Sequence, residues 1–156
     1  MTEQTSISVE RVVDASPATI FDLVSNPERH REIDASGMVG SDEKSDRIAA
    51  VGDTFVMNMT YVHKGRTTEY QVRNHVTGFA DGKLIAWRPG STEEDHPFGW
   101  EWLYELEPQG ADQTLVRLTY GWRDAPAEVI KKYGIPFFTA DELDASLGKL
   151  AEATTG

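Results

Sequence analysis

Between Thr54 and Trp122 the chain returns repeatedly to a two-residue period, most clearly in Phe98-Gly99-Trp100-Glu101-Trp102-Leu103-Tyr104-Glu105-Leu106-Glu107-Pro108. In an extended chain successive side chains point to opposite faces. Phe98, Trp100, Trp102, Tyr104 and Leu106 therefore share one face, and Glu101, Glu105 and Glu107 the other. Val116, Leu118, Tyr120 and Trp122 repeat the pattern, and the turn from Pro108 to Gln113 sets the second strand beside the first. A face this aromatic has to be covered. A helix packed tightly onto it makes a plain core; a helix covering it loosely leaves an aromatic-lined cavity for an apolar ligand.

Two alternating runs precede these. Phe55, Met57, Met59 and Tyr61 alternate with Val56, Asn58, Thr60 and Val62, and the turn His63-Lys64-Gly65-Arg66 leads to Tyr70, Val72, Asn74 and Val76 on one side. Glu69, Gln71, Arg73 and His75 occupy the other side, as expected of an antiparallel meander covered on one face only. Gly78 and Asp81-Gly82 read as the next turn, Lys83 to Arg88 as another strand, and Pro89 to Pro97 as a longer acidic loop.

Helical signals flank this region. A strand from Ser6 to Asp14 is followed by Ser16 as an N-cap with Pro17 in the first helical position. Ile20, Phe21 and Val24 form an apolar stripe, and Asn26-Pro27 starts a second short helix. Met38 to Ser41 reads as a brief strand and Asp42 to Asp46 as an exposed turn. After Trp122 a short helix from Ala125 to Tyr133 ends at Gly134, and Ile135-Pro136-Phe137-Phe138 follows as a break. Thr139-Ala140-Asp141-Glu142 is a capping box, with Phe138 and Leu143 in the staple positions. Leu143, Leu147 and Leu150 then line one face of a helix about four turns long, roughly 20 Å. Helices segregated to one side of a curved antiparallel sheet of six or seven strands define an α+β domain.

At 156 residues the chain fits one domain, residues 1–156, able to bury its own core without a staple. It has no cysteine, which removes thiol catalysis and thiolate metal sites. Carboxylates outnumber Lys plus Arg by 26 to 15. A field of that sign repels nucleic acid and anionic lipid surfaces, so neither is an expected partner. The first residues lack the pattern of a signal peptide, and no apolar run approaches the roughly 18 residues of a membrane span. A cytoplasmic protein without stable membrane insertion, monomeric or weakly dimeric, is the expectation. His30, His63, His75 and His96 show no metal-ligand spacing, and no phosphate loop, dinucleotide glycine pattern or nucleophile elbow occurs. No metal and no cofactor are expected.

Residues 12–28, with Ala15-Ser16-Pro17 ahead of a Val/Phe-rich helix and then Asn26-Pro27-Glu28, resemble the opening of the START-like, or helix-grip, superfamily. Val51-Gly52-Asp53-Thr54-Phe55 and Trp102-Leu103-Tyr104-Glu105-Leu106-Glu107-Pro108 are similar to two of its strands, notably in the polyketide cyclase/dehydrase and lipid-transport group. The resemblance implies a helix-grip fold with a cavity between the sheet and the C-terminal helix, one that often holds a hydrophobic molecule. It does not imply one reaction.

Alternation places Tyr61, Tyr70, Asn74, Tyr104 and Tyr120 inward as polar groups that would orient a ligand. Met57, Met59, Trp87, Trp100 and Trp102 would supply apolar contact. No carboxylate or histidine is expected on that face, so no catalytic group is assigned. Phe137 and Phe138 are in a position to plug the space. Three readings stay open: binding of a lipid, polyketide or isoprenoid-like molecule; an aromatase/cyclase using the same cavity; and a protein-interaction module resembling chaperone activators.

Overall fold

Seven strands form one antiparallel sheet, spatially ordered β1-β7-β6-β5-β4-β3-β2. They are β1 (Ser6–Val13), β2 (Val39–Asp42), β3 (Thr54–His63), β4 (Arg66–Ala80), β5 (Leu84–Gly90), β6 (Glu101–Gly110) and β7 (Gln113–Gly121). The computed structural model describes residues 4–94 and 96–155. The first residues and Asp95 of the acidic loop lie outside that range.

Strands β2 to β7 follow one another as neighbours, whereas β1 lies at the far edge beside β7. The connection from β1 to β2 therefore has to cross from one edge of the sheet to the other. It does so with helix α1 (Pro17–Val24) and a 3₁₀ helix (Pro27–Glu32). Each begins where a cap fixes it: the Ser16 hydroxyl accepts from the Thr19 N–H at 3.2 Å, and the Asn26 side chain accepts from the Glu28 N–H at 3.2 Å. Ile20, Leu23 and Val24 are fully buried.

Helix α2 (Ala127–Tyr133) stops at Gly134, whose left-handed φ of 67° ends the helix as glycine readily does. Helix α3 (Ala140–Thr155) starts with the expected capping box: Thr139 Oγ1 accepts from the Glu142 N–H at 3.2 Å, and Glu142 Oε1 accepts from the Thr139 N–H at 3.2 Å. Leu143, Leu147 and Leu150 are all buried. The helix packs chiefly on β1, with lesser contacts to β7, α1 and the 3₁₀ helix. It thus sits off-centre, and this position decides how much of the inner face it covers.

Two expectations need correction. Gly78 lies inside β4, not in a turn, at a bulge where Val76 pairs with Trp87 and Gly78 with Ala86. A Cβ there would come within 3.1 Å of Leu84 Cδ2 and 3.2 Å of the Ala86 Cβ, so the position needs glycine for close packing. The extra residue reverses the phase, and Phe79 turns inward to meet Phe21 edge-on at 5.6 Å. The aromatic strand begins at Glu101, leaving Phe98 and Trp100 in the segment before it. The expected second short helix after β1 is present as a 3₁₀ helix, in which residues three apart share a face.

The outer face of the sheet is polar. Arg88 pairs with Glu101 at 3.1 Å and with Asp124 at 2.7 Å, and Arg117 pairs with Glu10 at 3.0 Å. The inner face carries the apolar core.

Candidate functional site

Because α3 leans toward β1, the inner faces of β3, β4, β5 and the start of β6 are left to wall a cavity of about 590 Å³. All of the residues expected from alternation line it: Met57, Met59 and Tyr61 from β3, Tyr70 and Asn74 from β4, Trp87 from β5, Trp100, Trp102 and Tyr104 at and within β6, and Tyr120 from β7. Register explains the grouping. Met59 faces Tyr70 across β3 and β4, and Trp87, Trp102 and Tyr120 form one row across β5, β6 and β7. Along that row Trp102 stacks on Tyr120 at 4.8 Å, and Trp87 stacks diagonally on Tyr104, two residues along β6, at 5.8 Å.

The cavity has a closed end and a mouth. Phe55, Asn74, Trp87 and Tyr104 are buried at the closed end, whereas Tyr70, Tyr133 and Phe137 at the mouth are 36–39% exposed. Phe137 and Phe138 do not plug the space. Phe138 packs edge-on against Trp102 at 5.2 Å and Tyr120 at 5.5 Å, and Phe137 meets Tyr61 at 5.8 Å, so both become wall. The Phe137 N–H donates to the Tyr120 hydroxyl at 3.3 Å. Burial raises the pKa values of Tyr70, Tyr104 and Tyr120, and the negative field of Asp34 adds to the effect at Tyr104. All three phenols are therefore neutral donors near pH 7.

Alternation offered no carboxylate or histidine on the sheet's inner face, but such groups reach the cavity from outside the sheet, on the 3₁₀ helix and the loop after it. His30 and Asp34 both line the cavity. His30 is buried, with its ring stacked on Trp87 at 4.9 Å and edge-on to Phe55 at 5.3 Å. Its Nε2 lies 2.7 Å from the Val24 carbonyl oxygen. A carbonyl only accepts, so Nε2 carries the proton and Nδ1 is left with a lone pair. Burial pushes the pKa of this imidazole from the ordinary 6.5 down to about 4, outweighing the carbonyl and the more distant Asp42. The signal for this residue is a spacing of three, readable once the segment is known to be 3₁₀. Residues three apart eclipse in a 3₁₀ helix, and Pro27, His30 and Ile33 form such a row, all three buried.

Asp34 organises the loop that follows. Its carboxylate accepts from the Ser36 N–H at 3.1 Å, the Ser36 hydroxyl at 2.8 Å, the Gly37 N–H at 3.1 Å and the Val39 N–H at 3.3 Å. The φ of 79° at Gly37 lets the chain fold back on the carboxylate. The run Asp34-Ala35-Ser36-Gly37 has the composition of such a turn, and this was the available signal. Glu142 and Lys132 also border the cavity. Among the described residues no group of three or more His, Cys, Asp or Glu side chains is placed to hold a metal, and no helix is long and apolar enough to cross a membrane.

Residues 4–154 match a family model described as polyketide cyclase / dehydrase and lipid transport. An uncharacterized protein of Mycobacterium tuberculosis is 31% identical over 155 residues, covering 94% of this chain and 62% of that protein. The chain thus spans 62% of the length of the curated relatives it matches. Among solved structures, truncated norcoclaurine synthase from Thalictrum flavum aligns with a TM-score of 0.63 at 18% identity, over 99% of this chain and 98% of that one. A protein from Chromobacterium violaceum aligns with a TM-score of 0.67 at 13% identity, over 98% and 99%. The Aha1 dimer from Colwellia psychrerythraea gives a TM-score of 0.57 at 18% identity, over 97% and 96%. At these identities the likeness is one of fold.

Proposed function

The chain belongs to the polyketide cyclase / dehydrase and lipid transport family, and from that premise we propose that it binds a small apolar or aromatic molecule in the cavity between sheet and α3. The observation that carries this reading is the void of about 590 Å³ walled by Met57, Met59, Trp87, Trp100, Trp102 and the four inward tyrosines. That volume lies within the usual range of about 300–1,000 Å³ for small-molecule sites, and rings with a few polar groups are their usual lining. Asn74 and the tyrosine hydroxyls orient the occupant; the indoles supply contact area.

Binding is favoured over a cyclase-type reaction by the state of His30. A general base works best with a pKa near the operating pH, and an imidazole held down to about 4 is a weak base at pH 7. A protein-interaction role is less well supported, because the aromatic surface faces the void while the outer sheet face carries ion pairs such as Arg88 with Glu101 and Arg117 with Glu10.

Native mass spectrometry of the protein purified from its own host tests the proposal. The expected result is a retained compound whose removal frees the cavity for apolar ligands that quench tryptophan fluorescence. No retained mass, together with no binding across a varied panel of lipids and polyketides, would overturn it.

A further inference from the structure

The closed end of the cavity carries polar groups with unused hydrogen-bonding capacity. His30 lines the void, and its Nδ1 has no partner among the described residues; it keeps some accessible surface, since among those residues only His75 Nε2 is a side-chain nitrogen or oxygen both sealed and unpartnered. The Asn74 amide and the Tyr104 hydroxyl likewise have no partner among the described residues, although both residues are more than nine-tenths buried. His30 and Tyr104 both stack on Trp87, and Asn74 is the register partner of Phe55, which His30 also touches. Buried polar groups normally have partners, so three around this one pair of rings mark where a ligand's polar group belongs.

Their chemistry selects that group. His30 Nδ1 can only accept, the tyrosine hydroxyl is a ready donor, and the Asn74 amide offers both functions. A ketone or ether would be served by the donors but would leave the imidazole lone pair unsatisfied. A carboxylate would set its charge beside Asp34 and against that lone pair. Of the described residues lining the cavity Lys132 alone is a permanent cation, and it lies by Tyr133 at the mouth. A hydroxyl donates and accepts at once, which fits all three groups.

We infer that the cavity takes an uncharged molecule bearing a phenolic or alcoholic hydroxyl, inserted hydroxyl-first, with that hydroxyl donating to Nδ1 of His30 and accepting from Asn74 or Tyr104. His30 is then a specificity-determining residue, and fatty acids and other carboxylates are disfavoured occupants. The inference rests on the cavity being a ligand site, as proposed above. The low pKa of His30 supports it, because the acceptor stays unprotonated well below neutrality.

Isothermal titration of the unaltered protein at pH 7 with a matched set tests this: para-phenylphenol, biphenyl, para-methoxybiphenyl and para-phenylbenzoate. The phenol should bind about fivefold to tenfold more tightly than the hydrocarbon and the ether, the usual value of a net hydrogen bond, and the benzoate should bind most weakly. His30→Phe keeps a ring against Trp87 and should bring phenol and ether to equal affinity. Where that variant does not fold, the series on the native protein decides alone. Hydrocarbon and ether binding as well as the phenol, the benzoate binding best, or a phenol preference surviving in folded H30F would each overturn the inference while leaving apolar binding intact. If none of the four binds, the inference falls, and the broader reading is decided separately by the retained mass and the lipid and polyketide panel.

Discussion

The imidazole of His30 lies face to face with the indole of Trp87, centroids 4.9 Å apart and planes 19° from parallel. A stacked, buried imidazole with one nitrogen bonded to the Val24 carbonyl is stable as the neutral form and costly as the cation.

This gives the protein an acid sensitivity of defined sign. The unfolded imidazole takes up a proton near the ordinary 6.5, whereas the folded one resists until about 4. Between these values the unfolded state binds more protons, so stability falls as pH falls through that window. The full effect of the gap is about 3 kcal/mol. Urea denaturation from pH 7 to pH 4 should show it, and His30→Phe should flatten the profile relative to wild type. Parallel profiles for the two proteins would contradict the assignment.

Leu147 has no exposed surface in the middle of the α3 stripe. Leu147→Ala should cost about 2–5 kcal/mol, seen as a lower denaturant midpoint with an unchanged slope. An unchanged midpoint would remove α3 from the core.

Thr139 and Glu142 close the capping box reciprocally. Thr139→Ala should destabilise the protein by about 1 kcal/mol, and Thr139→Ser should restore most of that. Equal loss in both variants would point to packing of the threonine methyl instead of the cap.

Trp102 touches Tyr120 and Phe138 on the inner face, while Glu101 on the outer face pairs with Arg88. Trp102→Ala and Trp100→Ala should weaken apolar-ligand binding severalfold once near-ultraviolet dichroism shows the variants folded. Glu101→Gln should leave that affinity unchanged and shift stability by roughly 0–1 kcal/mol, the usual worth of a surface ion pair. Equal effects of all three on binding would place the ligand elsewhere.

Legibility in the sequence followed the regularity of the backbone. Where period two ran unbroken, as in Met57, Met59 and Tyr61 or Trp102 and Tyr104, facing direction and hence cavity lining were readable from alternation alone. It failed at Gly78, because glycine marks both turns and bulges and only the neighbours Leu84 and Ala86 distinguish them. It failed again at His30, since a spacing of three is informative only once the segment is known to be 3₁₀. The choice between plain core and cavity was beyond alternation altogether. It depends on the off-centre seat of α3 against β1, a property of packing between elements distant in the chain.

Helix α2 buries none of its residues, and its aromatic anchor is Tyr133 against Phe98 and Trp100, beside the mouth. Cooperative unfolding energy comes from buried contacts, and α2 offers only the half-buried Val129 and Ile130, so this segment should open at lower free energy than α3. Its amide hydrogens should exchange with solvent far sooner than those around Leu147. On the proposed binding role, a guest would then exchange at the entrance on a timescale set by one short helix, with the sheet and its long helix staying closed.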